Sequence, residues 1–293
     1  MQSKISIIMV DGSFRESFHS VDFFGKQTLP SDDYELLWVE YYDRVSPALE
    51  QKVSQYPNFR IITLKRDGLY HSSYCFNAGI CAGRGELIVI PDADVVVEEH
   101  FLETVWQDHQ ANDKLVMYIH RYDEPEENHF NEVRIEHLRN VCVLTNPSNY
   151  GGCLSVRKKW LLKINGYEQH PLFGSGDHAN GMDVYTRLKN LGLQVKWHPG
   201  LKLYHPWHPF TLRFALAYKI QQAIIDYRAV KLAAVPFQGI DSALNSEIPQ
   251  ELIEKVEDVK RRHEISIFVQ KLRSLIKRIP GITSLVRLMR KVL

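Results

Sequence analysis

Cysteine is scarce in this chain, and none of it is paired in sequence. The four cysteines, Cys75, Cys81, Cys142 and Cys153, form no CxxC motif, which argues against a disulfide framework or a thiolate metal knuckle and fits reduced thiols of a cytosolic protein. Long apolar runs are also missing. No stretch approaches the ~20 residues of a membrane span. The apolar segment 5–10, entered after Met1-Gln2-Ser3-Lys4, is too short for a secretory h-region, so the expected location is cytoplasmic. Neither sign of charge is in excess. Lys+Arg number 36 and Asp+Glu 35, so composition does not point to a nucleic-acid partner. There is no internal repeat. A Gly-rich phosphate loop followed by Lys is lacking too. Asp11-Gly12-Ser13-Phe14-Arg15 does not supply it, which argues against a sugar-phosphate nucleotidyltransferase.

What is present is a folded, aromatic-rich chain with one conspicuous acidic motif. Residues 86–90, Glu-Leu-Ile-Val-Ile, read as a strand buried on both faces, and Pro91-Asp92-Ala93-Asp94 follows at once. Short β-branched runs without polar alternation suit the centre of a parallel sheet. Two carboxylates at i and i+2 then emerge at the strand's carboxyl end, where open α/β sheets bind ligands. Hard oxygen ligands there suit Mg²⁺ or Mn²⁺ bridging a diphosphate. Upstream, strands are expected at 5–10, 34–40 and 59–64, with helices at 15–27, 48–55 and 73–82 between them. This alternation predicts an α/β fold with a mostly parallel, Rossmann-like sheet flanked by helices and joined by right-handed crossovers.

Beyond residue 100 the alternation loosens. Helices are expected at 102–109, 160–164 and 182–191, and strands at 141–144 and 153–156. Residues 194–198 and 201–205 read as a strand pair around Pro199-Gly200. Residues 121–134, with Asp123, Glu124, Glu126 and Glu127, read as an exposed loop. From Pro209 the character changes to helix, at 212–235 and again at 250–264. We therefore expect a catalytic domain over 1–208 and a helical extension over 209–293. From Lys260 onward ten Lys/Arg stand against Glu264 alone. Ile265, Phe268, Leu272, Leu275, Ile276 and Ile279 fall on one face there, a pattern that suits an interfacial helix on anionic lipid or equally a helix docked on protein.

Several ordered motifs give the chain a resemblance to family 2 glycosyltransferases of the GT-A fold, over roughly residues 4–208. Ser6-Ile7-Ile8-Met9 resembles the family's opening strand, and Leu37-Trp38-Val39-Glu40 its second. Phe76-Asn77-Ala78-Gly79-Ile80 through Ala82-Gly83-Arg84-Gly85-Glu86 resembles the "RNAGI…ARGE" run, with Phe76 where Arg is usual. Asp92-Ala93-Asp94 falls at the metal motif, and Asn165-Gly166-Tyr167-Glu168 resembles "GGFDE". Phe173-Gly174-Ser175-Gly176-Asp177 parallels "WGxED" with Gly in place of Glu, and Asp183-Val184-Tyr185-Thr186-Arg187-Leu188 parallels "DLxxRL".

The resemblance implies a metal-dependent transferase taking a sugar from a nucleotide-diphosphate donor, UDP favoured, to a glycan or lipid-linked saccharide of a surface polysaccharide. Asp94 is expected to ligate Mn²⁺ or Mg²⁺ directly and Asp92 directly or through water. His205 would complete the site, with His208 as its alternative. Asp177 is the candidate general base of an inverting reaction and Asp183 its rival. Glu40 is placed on the nucleotide base, or alternatively caps backbone. Val10, Asp11, Asp67, Asn77, Arg84, Asp92, Ala93 and Gly152 are further candidate nucleotide-sugar contacts. A retaining transferase, or a degenerate nucleotide- or glycan-binding subunit, is the alternative. An oligomer is compatible with this sequence. The tail gives a peripheral membrane location a rationale.

Overall fold

The computed structural model describes residues 3–126, 132–173, 179–209 and 215–277. It divides into two compact units, Met1–Glu247 and Ile248–Leu293. In the first unit the strands in chain order are β1 (Ile5–Asp11), β2 (Tyr34–Glu40), β3 (Phe59–Thr63), β4 (Leu87–Pro91), β5 (Leu115–Asp123), β6 (Val143–Leu144), β7 (Cys153–Arg157) and β8 (Gln194–His205). The helices are α1 (His19–Gly25), α2 (Pro47–Val53), α3 (Ser72–Ala82), α4 (Phe101–Ala111), α5 (Ile135–Val141), α6 (Lys158–Lys163), α7 (Asn180–Asn190) and α8 (Ala215–Lys231). The second unit holds one long helix, α9 (Gln250–Lys277). No described helix is long and apolar enough to cross a membrane.

The strands form one mixed sheet in the order β3-β2-β1-β4-β7-β5-β6, with β8 also on β5. β1, β2, β3 and β4 run parallel. β7 is antiparallel to both β4 and β5. Every residue of β2 and β4 is buried, as expected where helices cover both faces of parallel strands. One face packs Ile5, Ile7, Leu36, Trp38 and Val89 against Phe24, Phe101 and Leu102. The other packs Ile8, Leu37, Val39, Ile88 and Ile90 against Ile80, Leu161 and Val184. Each such side chain contributes about 1.5–3 kcal/mol relative to exposure.

Three local expectations change. Residues 194–205 form one strand and not a hairpin, because both its ends, 194–197 and 202–205, pair in parallel with β5; Pro199-Gly200 falls where the register shifts between Tyr118 and His120. Residues 121–123 belong to β5 and not to a loop, because Asp123 pairs with His205. The expected helix over 15–27 begins only at His19, which leaves Arg15 in the loop after β1. The expected tail beyond residue 277 lies outside the described residues.

Candidate active site

Parallel strands gather their carboxyl ends on one edge. Asp11 and Glu40 are register partners at the ends of β1 and β2, and Asp92 follows Pro91 at the end of β4. A second alignment brings in the distant histidine. β8 ends at His205 opposite Asp123, the last residue of β5. A bridge from Val96 to Tyr204 pins the segment after Asp94 to that same strand. Residues far apart in sequence therefore meet through strand register.

At the meeting point, donor atoms of Asp94, His205 and His208 lie within 4.8 Å of one another. His205 Nε2 is 3.6 Å from Asp94 Oδ1, and His208 Nε2 is 3.5 Å from Asp94 Oδ2. The two Nε2 atoms are 3.2 Å apart. His205 Nδ1 sits 3.0 Å from Asp123 Oδ1. The imidazole is thus oriented by a carboxylate on its far side, as is usual for metal-binding histidines. A mixed carboxylate and imidazole set fits Mn²⁺ or Mg²⁺.

Two arginines also enter the cluster. Arg15 Nη1 pairs with Asp94 Oδ2, and its Nε lies 3.7 Å from Asp11 Oδ1. Arg121 Nη1 donates to Asp92 Oδ2 at 2.7 Å, and its Nε lies 2.9 Å from Asp123 Oδ1. The electrostatics follow. Burial would raise the Asp94 pKa, but Arg15 and His205 hold it well below the usual carboxylate range. Burial dominates at Asp11 and lifts it to about 6 against the pull of Arg15. It also raises Asp92, with Arg121 opposing. Burial works against the His205 imidazolium, yet the carboxylates of Asp123 and Asp94 push its pKa up to about 9. A divalent cation at Asp94 would therefore replace positive charge already there, from Arg15 and the His205 proton.

Of the remaining sequence candidates, some join this edge. Val10, Asp92 and Ala93 line one small cavity there. The Asp92 amide donates to Gly152 O at 2.9 Å, and Ser20 Oγ donates to Ala93 O at 2.7 Å. Others are engaged by partners within the fold or stand apart from the cluster. Glu40 is buried, accepting from Trp38 Nε1 at 2.9 Å on Oε1 and from Ser13 N at 3.0 Å and Ser13 Oγ at 3.1 Å on Oε2. It takes the capping role and shapes the loop at Ser13, where φ is +56°. Asn77 is buried with both ends on one backbone unit: Nδ2 donates to Tyr167 O at 2.9 Å, and Oδ1 accepts from Tyr167 N at 2.7 Å. It fastens the left-handed Asn165-Gly166 turn to α3. Asp67 is exposed on the loop after β3.

Arg84 is a correction. It precedes β4, whereas Asp92 follows it, so it stands at the opposite edge of the sheet and pairs with Glu35 through Nε at 3.0 Å. The larger cavity there, 700 Å³ and lined by Tyr34, Arg84 and Lys158, contains none of the clustered carboxylates. Asp183 is also held away from solvent. It is buried, accepts from Arg187 Nε at 2.8 Å and pairs with Arg228, which in turn pairs with Glu168. Both guanidiniums keep it ionised below the ordinary range despite burial, which suits a structural anchor and not a proton acceptor. Asp177 lies outside the described residues. The sequence reading did not single out Arg121 or Asp123, and took Arg15 only as part of a poor phosphate loop. Their signal is strand register, visible once 194–205 is paired with 115–123.

The glycosyl transferase family 2 model matches residues 30–167, a span that includes Asp92 and Asp94. No curated protein matches the sequence. Among solved structures, S. aureus TarS 1–349 is similar with TM-score 0.57 at 13% identity, over 76% of this chain and 64% of that one. The same TarS segment in complex with UDP-GlcNAc gives TM-score 0.58 at 13% identity, over 76% and 66%. The mannosyltransferase PcManGT from Pyrobaculum calidifontis, in complex with GDP-Man and Mn²⁺, gives TM-score 0.54 at 12% identity, over 89% and 69%. This chain thus spans just under two thirds of the TarS segment. At these identities the likeness is one of fold, the GT-A sheet with its flanking helices.

Proposed function

We propose that this chain, whose residues 30–167 match the glycosyl transferase family 2 model, moves a sugar, with inversion, from a nucleotide-diphosphate donor to a saccharide acceptor at the carboxyl edge of its sheet. The observation that carries this is the convergence of Asp94, His205 and His208 beside Asp92. Those three residues would hold Mn²⁺ or Mg²⁺, with Asp92 against the ribose or the cation's water. When bound, the cation would supply Lewis-acid neutralisation of the leaving diphosphate, a contribution of several kcal/mol.

The chain's own residues account for the rest. Arg15 and Arg121 place guanidiniums at the cluster, where they suit phosphate oxygens once released from carboxylates. Asp123 holds the His205 ring in place through Nδ1. Asp177 is carried as general base by its motif, and the burial of Asp183 between two arginines supports that choice over its rival. UDP is the favoured nucleotide, and TarS, a structural neighbour, is known in complex with UDP and UDP-GlcNAc. The acceptor is proposed to be a glycan or lipid-linked saccharide of a surface polysaccharide. The basic segment from Lys260 would then hold a cytoplasmic enzyme peripherally at an anionic membrane face.

Calorimetric titration with UDP, GDP, CDP and dTDP, each with Mn²⁺ and with EDTA, tests this on wild type and Asp94→Ala. One nucleotide is expected to bind only with metal and only when Asp94 is present. Metal-independent binding, or none, would sink the cation site.

A further inference from the structure

Just past the end of β5 stands a carboxylate that the transfer chemistry does not use. The sequence places Glu124 in an exposed acidic loop, yet its side chain is fully buried. A buried charge is costly unless it is paired and hydrogen-bonded, so its partners are informative. Oε2 accepts from Trp207 N at 2.8 Å. Oε1 lies 3.5 Å from His137 Nε2 on α5. The Glu124 backbone reaches the same segment as Oε2, because its amide donates to His205 O at 3.0 Å.

Two bonds from one residue thus bracket Pro206. Proline has no amide hydrogen, so Trp207 N is the first amide after His205 that an acceptor can hold. Fixing His205 O and Trp207 N sets the path of the chain as it leaves β8. On that path His208 returns beside His205, with ring centroids 5.0 Å apart at 83°. The two histidines are placed differently. Asp123 holds the His205 ring itself. His208 is half exposed, so packing does little to place it and the backbone must. Its Nδ1 lies 3.0 Å from Pro209 O, a local contact that does not tie the segment to the sheet.

We propose that Glu124 is a positioning residue of the cation site. Its carboxylate fixes the turn at Pro206-Trp207 that sets His208 beside His205, so that both imidazoles reach one ion with Asp94. The inference rests on the cation-site reading above. The turn needs reach and not charge. A glutamine of the same length still offers Trp207 N an acceptor oxygen. Aspartate keeps the charge, is one methylene shorter and loses the bond.

The test measures Mn²⁺ binding by calorimetry on wild type, Glu124→Ala, Glu124→Asp, Glu124→Gln and His137→Ala, with thermal melting as the probe of folding. The Ala and Asp variants are expected to bind Mn²⁺ about tenfold more weakly, the loss typical when a group that orients a metal ligand is removed. The Gln variant should stay within about threefold of wild type. So should His137→Ala, which frees Oε1 and leaves the Trp207 bond intact. Glu124→Asp carries the test if Glu124→Ala does not fold. Wild-type affinity in the folded Asp variant would overturn the proposal. A tenfold loss in His137→Ala would do the same, since the effect would then run through α5. A second readout needs no ion. The nuclear Overhauser contact between the His205 and His208 rings should be present in metal-free wild type and the Gln variant, and absent in the Asp variant. Its persistence there would also overturn the proposal. Failure of wild type to bind Mn²⁺, with the ring contact following this pattern, would overturn the cation reading alone and leave the turn to Glu124.

Discussion

Replacing Asp183 by alanine should destabilise the fold strongly without removing any group that takes part in the proposed chemistry. The carboxylate sits in a neutral buried quartet with Glu168, Arg187 and Arg228. Asp183, Arg187 and Arg228 are each about 1% exposed or less, and so is Glu168. Arg187 also donates from Nη1 to Ile164 O at 2.8 Å. Glu168 accepts from Phe237 N at 2.8 Å and Gln238 N at 2.9 Å. The quartet therefore ties α7, α8 and the segments around residues 168 and 237 together. Truncation at 183 leaves one guanidinium charge too many in a low-dielectric interior. Removing one partner of a buried pair costs about 3–5 kcal/mol, against a total stability of about 5–15 kcal/mol for a domain. With a urea slope of about 3 kcal/mol/M, the unfolding midpoint should fall by about 1–2 M. The assay is urea unfolding followed by tryptophan fluorescence, with donor turnover measured on the fraction still folded. A variant that keeps the wild-type midpoint and loses turnover would refute the reasoning and return Asp183 to the role of base.

Other perturbations separate the site from its surroundings. Arg15→Gln removes the guanidinium paired with Asp94, so the apparent Kd for Mn²⁺ should fall about tenfold as a nearby like charge disappears; calorimetry showing unchanged or weaker Mn²⁺ binding would mean that Arg15 does not oppose the cation. Arg84→Ala, at the far edge and paired with Glu35, should leave metal-dependent nucleotide affinity unchanged, and a tenfold loss would contradict its placement there. His109 is fully buried, its Nε2 2.9 Å from Ser155 Oγ, and burial, then Arg157, lowers its pKa from 6.5 to about 4. The unfolded chain takes up that proton below pH 6.5 while the folded one resists, so stability present above pH 6.5 drains by about 3 kcal/mol as pH falls to about 4. Stability differences between pH 7 and pH 4 should shrink by that amount in His109→Gln, and equal pH slopes for both proteins would rule out the assignment.

How far the site could be read from sequence depended on what each residue needs. The strand order β1, β2, β3, β4 and the acidic pair at 92 and 94 rest on local patterns, a buried run followed by polar residues, and these patterns carry through to the sheet. His205 needed a second strand beside β5, and the parallel pairing of β5 with β8 provides it. Asn77, Arg84 and Asp183 match motifs too, yet each is held by a partner inside the fold, and a motif letter is silent about its partner. Arg84 could have been placed by arithmetic alone. It precedes a strand of five residues, Leu87–Pro91, and Asp92 follows that strand. At 3.3 Å per residue the two ends stand about 16 Å apart, so one diphosphate held at Asp92 cannot also be gripped at the amino-terminal end. Arg15 and Arg121 are the converse case. Their positions in sequence look unremarkable, and only the convergence of four strand ends gives them carboxylates to hold. Strand direction thus decides which motif residues share a site, and side-chain pairing across strands decides which of those remain free to meet a ligand.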